Sequence, residues 1–416
     1  MNQFTLLFLT LISISVVLQL WLSRRQFNHV ALHRNKVPNA FDGKISLADH
    51  QKAADYTIAH IKFDNIEALL GVGILLLWTV GGALEILDQY WRDMALSGHW
   101  TGVCVVMSLV FISVLLNIPS EAYATFVIEQ KFGFNKSSAS LFVRDTLKQM
   151  LLLLLIATPL VWVILWLMDN SGDGWWFYVW IVWMSFTLFL QWAYPTLIAP
   201  IFNQFNPLDD SGLVTRIENL LKRCGFSNNG IFVMDGSRRS AHGNAYFTGY
   251  GKHKRIVFFD TLIKTLGDSE IEAVLAHELG HFKHRHVIKH MITLSILSLF
   301  CLALLAWLIQ QSWFYSGLGV AHASNYMALI LFVLILPTFS FFLQPITAFF
   351  MRKHEFQADT FAASNSDANE LIKALVKMYS ENASTLTPDP LYSAFHDSHP
   401  PAPIRIAFLQ SLMAKS

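Results

Sequence analysis

Seven long apolar runs, at residues 4–22, 66–87, 100–119, 147–168, 175–198, 291–310 and 327–350, decide most of what this chain can fold into. Backbone inside hydrocarbon has no water to bond, so each run must close its hydrogen bonds within itself, as a helix. The chain therefore reads as a predominantly α-helical multi-pass membrane protein with seven transmembrane helices. Composition agrees: 54% of residues are hydrophobic and only 14% charged, which excludes an ordinary soluble enzyme. The second run is the least regular, with Glu67 and Glu85 near its ends and Gly71, Gly73, Gly81 and Gly82 in its body. The first run has no basic residue before it and Arg24-Arg25 after it, the charge order of a retained anchor rather than a cleaved signal.

Positive charge orients the spans. With the N-terminus outside, segments 23–65, 120–146, 199–290 and 351–416 face inward and hold nearly every Lys and Arg, while the connections 169–174 and 311–326 hold none. Arg92 is the outward exception. The expected organisation is spans one to five with their loops (1–198), a polar cytoplasmic segment (199–290), spans six and seven (291–350) and a polar tail (351–416). The two polar parts together could make one compact domain. Cys104 and Cys301 fall in spans and Cys224 in the polar segment, so no structural disulfide is expected. A net charge of +1 gives no sign of a nucleic-acid partner; the basic residues read as topology signals for a lipid bilayer.

Within 199–290 lies His277-Glu278-Leu279-Gly280-His281. Histidines four apart on a helix share one face and can grip one zinc ion, and Glu278 beside them can take a proton from water that the ion acidifies. Ser269 and Glu272 read as a capping box opening this helix, with Ile271, Val274, Leu275 and Leu279 as its apolar stripe. H-E-x-x-H alone is suggestive only, and a third ligand is required. Glu355, in His354-Glu355-Phe356-Gln357-Ala358-Asp359, could complete a His/His/Glu site, and Asp359 could orient a ligand imidazole. The bland alternative makes Glu355 and Asp359 solvated charges at a helix end.

Segments 231–234, 244–248 and 255–259 read as strands of a small sheet, the last two joined by a turn at 249–252. A free strand edge could hold an extended peptide, with Asn244 adding an amide contact, although a turn Asn is an equal reading. Near the end, His399-Pro400-Pro401 and Arg405 could supply donors to the oxyanion of peptide hydrolysis, or simply form a proline-fixed loop. His284, His286 and His290 read as solvated or interfacial rather than as ligands.

At these residues the chain resembles the integral-membrane CAAX prenyl proteases of the sterile-24 type. The markers are SLADHQKAADYT at 46–57, IEQKFGFNK at 128–136, YPTLIAPIFNQFNPL at 194–208, SAHGNAYFTG at 240–249, HELGH at 277–281, HEFQAD at 354–359 and HPP with Arg405. The resemblance implies a zincin-like metalloprotease domain and one zinc ion on His277, His281 and Glu355. It further implies Glu278 as base, Asn244 on the substrate backbone, His399 and Arg405 assisting the oxyanion, and Asp359 behind the ligands. It also implies seven helices forming a barrel around a hydrated chamber, and an activity that removes the last three residues of a prenylated C-a-a-X terminus. The compact length and the ending Met413-Ala414-Lys415-Ser416, without a dilysine signal, point to a bacterial inner membrane, with the endoplasmic reticulum the setting for a eukaryotic member. The expected partner is then a peptide or protein substrate, prenylated or otherwise membrane-associated. Two other readings stay open: a heat-shock-type membrane zinc protease, whose relatives have fewer spans, and a transporter or scaffold with a structural metal.

Overall fold

The computed structural model describes residues 2–96, 98–248 and 253–414. The turn expected at 249–252 lies outside the described residues. Five apolar helices long enough to cross a bilayer are α1 (Gln3–His33), α4 (Trp100–Phe132), α5 (Ala139–Asn170), α6 (Gly172–Phe202) and α9 (His286–Leu308). A sixth, α10 (Asn325–Asn365), continues past its apolar part into the polar tail. The seventh expected span is a broken pair, α2 (Leu47–Trp78) and α3 (Ala83–Asp93), bent by 48°. Its break falls in the glycine-rich body of the run: Gly82, the residue before α3, sits at φ +77°, a conformation that side chains other than glycine's disfavour.

Two of the spans widen locally. Residues Ala124–Glu129 in α4 and Tyr194–Ile198 in α6 form wider π turns near Pro119 and Pro195, which lack a backbone donor. The first helix is part of the bundle: Phe8 and Ile12 are buried in the membrane core with Val105, Leu165, Leu305 and Leu331. At its far end, Arg25 donates both Nε and Nη2 to Asp389.

The polar part contains α7 (Ser211–Cys224), α8 (Asp268–Lys283), α11 (Ala368–Glu381), α12 (Pro390–His396) and α13 (Ala402–Met413). These pack on a four-stranded sheet of β1 (Phe205–Pro207), β2 (Ser227–Met234), β3 (Ala245–Thr248) and β4 (His253–Phe259), in the order β1-β2-β4-β3. Strands β2 and β4 run parallel and the outer pairings are antiparallel, so β3 is an edge strand. The sequence reading had three strands; β1 is too short to show period two, and β2 begins earlier, at Ser227. Asn244 stands just before β3, and its carbonyl accepts the Phe259 N–H at 2.9 Å.

One core gathers Ile217 of α7, Phe258 of β4, Leu275 and Leu279 of α8, Leu371 of α11 and Leu409 of α13. It joins residues from both sides of the last two spans, and Phe41 and Ile45 of the α1–α2 connection enter it too. The start of α8 differs from expectation. The helix begins at Asp268, and Glu270, not Glu272, turns back to accept the Gly267 N–H at 2.7 Å. Glu272 instead accepts from Arg216 and Arg223 of α7.

Two cavities of about 1110 and 1090 Å³ lie between the spans and this domain. They share Leu190, Tyr194, Ala199, Asn203, Arg239 and Ser240 as walls, so they adjoin. Arg239 ties this partition together, donating to Asp145 of α5, to the Asn203 side chain and to the Phe202 carbonyl.

Candidate metal centre

Two helical triplets face each other. On α8 they are His277, Gly280 and His281; on α10, Glu355, Ala358 and Asp359; each set spaced i, i+3, i+4 and therefore on one face. His277 meets Asp359 and His281 meets Glu355, so the triplets oppose each other in reversed order. Gly280 makes the approach possible: a Cβ there would stand 2.8 Å from the Ala358 Cα. Core residues lock α8 from behind, because Ile271, Ala273, Leu275, Ala276 and Leu279 are all buried.

The approach brings three electron-pair donors to one point. The Nε2 atoms of His277 and His281 are 3.3 Å apart, His281 Nε2 is 3.3 Å from Glu355 Oε1, and His277 Nε2 is 3.5 Å from Glu355 Oε2. Tetrahedral ligands at about 2.0–2.1 Å from zinc stand about 3.3 Å from one another, so the set has the spacing of three corners. The chemistry agrees. His277 Nδ1–H donates to Asp359 Oδ1 at 2.8 Å, which leaves the Nε2 lone pair pointing at the other two donors. Glu355 Oε2 is buried without an aligned hydrogen-bond donor, an expensive state unless a cation meets it. Among the described residues this is the one His/Cys/Asp/Glu group compact enough to hold a metal ion.

Behind the ligand set, Arg405 of α13 is buried and clamps Asp359, with Nε at 2.9 Å from Oδ2 and Nη2 at 2.5 Å from Oδ1. Its Nη1 stands 3.7 Å from Glu355. Burial works against the guanidinium charge, but Asp359 and Glu355 outweigh it and lift the Arg405 pKa above its ordinary value. Expected to face a substrate oxygen, Arg405 spends its fork on Asp359 instead. His399 is different: its side chain is 63% exposed, and Nδ1 lies 2.8 Å from Glu355 Oε2 at the open side of the site.

Glu278 is half-buried, and among the described residues its carboxylate has no hydrogen bond or ion pair. Asn244 is exposed, its Oδ1 accepting the Ala245 N–H at 2.8 Å, and it bonds to none of the ligand set. The edge strand it precedes does reach α8, where the Phe247 and Phe282 rings are 6.0 Å apart. One side of the site opens on the 1090 Å³ cavity, which His281, Phe282, Tyr246 and Phe247 help to line.

Sequence reasoning missed two features. His286, read as solvated or interfacial, is buried against His281. A second polar cluster joins three of the sequence markers: Tyr56 donates to Glu129 at 2.5 Å, His242 Nε2 is 3.2 Å from Glu129 Oε2, and Asn382 accepts the Gly243 N–H. It holds the loop that leads into β3, and no local pattern could have signalled it because its members are scattered over the chain.

Comparisons with known proteins follow these lines. Residues 26–204 match the family described as CAAX prenyl protease N-terminal, five membrane helices, and residues 207–413 match Peptidase family M48. The chain is 33% identical to the CAAX prenyl protease 1 homolog of Oryza sativa over 96% of its own length and 95% of the relative's. It is 30% identical to CAAX prenyl protease 1 of Saccharomyces cerevisiae, covering 95% and 92% of the two chains. The crystal structure of S. mikatae Ste24p superposes with a TM-score of 0.90 at 29% identity, over 98% of this chain and 99% of that one.

Proposed function

This chain belongs to the CAAX prenyl protease 1 family of M48 metallopeptidases, and from that premise we propose that it is a zinc endopeptidase cutting near the C-terminus of prenylated, membrane-associated substrates. It is a multi-pass membrane metalloendopeptidase with the Ste24p fold. The observation that carries the finer reading is the convergence of His277, His281 and Glu355 at 3.3–3.5 Å, with the uncommitted Glu278 carboxylate next to them.

His277, His281 and Glu355 hold one zinc ion. When bound, zinc lowers the pKa of water and polarises a carbonyl oxygen. Glu278, with no other partner among the described residues, accepts the proton of the attacking water and returns it to the leaving amine. His399, exposed at the open side, donates to the carbonyl oxygen as it gains charge. Arg405 and Asp359 orient His277 from behind. The substrate lies extended along the edge of β3, with Asn244 bonding its backbone, and the apolar wall of the adjoining cavity receives a lipid group. The charge bias of the loops supports a cytoplasm-facing site, in a bacterial inner membrane or the endoplasmic reticulum.

Matched farnesylated and unmodified C-a-a-X peptides, given to the purified protein in detergent, test this reading. The expected result is one zinc per chain and mass-identified release of the terminal tripeptide, faster from the farnesylated peptide and abolished by a chelator. Equal rates would remove the prenyl requirement, and cleavage by metal-free protein would remove the zinc.

A further inference from the structure

His277 has a visible support in Asp359 and Arg405, whereas among the described residues no carboxylate bonds to the outer nitrogen of His281. Its outer nitrogen, Nδ1, instead lies 3.1 Å from Nδ1 of His286. The other His286 nitrogen, Nε2, is 2.8 Å from Gln357 Oε1, and the ring stacks on His354 with centroids 4.0 Å apart and planes 12° apart. His286 is buried.

With the Gln357 oxygen facing Nε2, these contacts fit one arrangement of protons. An amide oxygen can only accept, so His286 Nε2 carries the hydrogen and its Nδ1 is left as a lone pair. That lone pair accepts from His281 Nδ1–H. His281 must then keep its own lone pair on Nε2, the atom 3.3 Å from both His277 Nε2 and Glu355 Oε1. We infer that His286, locked by Gln357, is the positioning residue that fixes the tautomer and ring direction of His281.

The backbone is built for this contact. On an unbroken helix a residue five positions on would sit about 140° around the axis and could not reach back. Between α8 and α9, however, Arg285 adopts the left-handed conformation, at φ +57° and ψ +34°. That break swings His286 back onto His281 and also starts the sixth span. A non-glycine residue held there indicates that surrounding contacts over-determine the turn. Gln357 sits two residues beyond Glu355 on α10, and His286 opens α9 directly after α8, so the support comes from the ligand helix α10 and from the start of the helix that follows the other ligand helix.

The inference rests on His281 being a metal ligand, and the test separates the two claims. His286→Phe keeps a ring to stack on His354 but removes the acceptor; His286→Asn restores an acceptor oxygen near the position of Nδ1. Zinc affinity is read by chelator competition, the ligand field by the visible spectrum of the cobalt-substituted protein, and packing by the thermal midpoint of the metal-free protein. The expected result for His286→Phe is a 10- to 100-fold loss of zinc affinity, on the order seen for groups behind metal ligands, with an altered cobalt spectrum and a nearly unchanged metal-free midpoint. His286→Asn should recover most of the affinity. Gln357→Leu, which leaves α8 untouched, should weaken zinc binding in the same direction and serves if His286→Phe does not fold.

Wild-type affinity and spectrum in His286→Phe and Gln357→Leu would overturn the inference while leaving the zinc site intact. Equal losses in the Phe and Asn variants would overturn it too, by showing that only packing matters. Failure of the wild-type protein to bind zinc would instead overturn the proposed function.

Discussion

Asp359 has no exposed surface, and it is bound by a histidine on one side and a guanidinium on the other. Replacing it by Asn keeps the shape but leaves Arg405 buried with only Glu355 at 3.7 Å to balance its charge. Removing one member of a buried pair costs on the order of 3–5 kcal/mol, far more than a surface pair is worth. Asp359→Asn should therefore lower the thermal midpoint sharply and weaken zinc binding by about 10- to 100-fold, both measurable on purified protein. The grouping of His277, His281 and Glu355 could be read from the sequence because an i, i+4 histidine pair has few other uses beside a glutamate. The role of Arg405 could not: whether a guanidinium faces substrate or a buried aspartate depends on how α13 packs, and no local spacing encodes that. His286 was hidden for a related reason, since the helical repeat places it on the wrong face until the Arg285 break redirects it.

Helix α8 serves as both core element and ligand carrier, and its placement depends on two contacts. The first is the close approach at Gly280. Gly280→Ala would force a methyl to 2.8 Å from the Ala358 backbone, with the Ala358 carbonyl oxygen and the Phe361 Cβ each at 3.1 Å. Over-packing of this kind costs about 1–3 kcal/mol, and here relief means moving α8 from α10 and so His281 from Glu355. A lower thermal midpoint together with weaker zinc binding is expected; loss of stability with unchanged zinc affinity would show that the helices yield elsewhere.

The second contact is Glu272 with Arg216 and Arg223, at the opposite end of α8. Burial pushes the Glu272 carboxyl up, but hydrogen bonds from the two arginines outweigh it and hold its pKa below the ordinary value. A depressed carboxylate stabilises the fold above its unfolded pKa, about 4.3, and loses that contribution as pH falls through the folded value. The thermal midpoint should decline below about pH 4.3, and Glu272→Gln should be less stable at neutral pH with a shallower decline. The sequence misassigned this residue to the helix cap because Ser269 and Glu272 fit the capping spacing. Its true partners lie on α7, some fifty residues away in sequence, while Glu270 takes the cap.

At the scale of the molecule, the apolar runs made the number of spans legible, including the glycine-rich one that turned out to be bent. The cavities were not legible. The spans are apolar nearly all round, and cavity-facing residues such as Leu152, Ile156 and Leu160 look like lipid-facing ones in sequence. Which side borders empty space is set by tilt and by struts such as Arg239, which joins α5, α6 and the catalytic segment. The architecture has a chemical consequence: His281 opens on an apolar-walled cavity between the bilayer helices and the sheet, which suits the lipid-bearing substrate proposed above. The account as a whole depends on one ion gripped by α8 and α10 and on a free carboxylate beside it. Glu278→Gln, assayed for zinc content and peptide cleavage in the same preparation, tests this most directly. The account predicts one zinc per chain with cleavage reduced by about 10²- to 10⁴-fold or more, the range for loss of a general base; a zinc-loaded variant that still cleaves at the wild-type rate would contradict it.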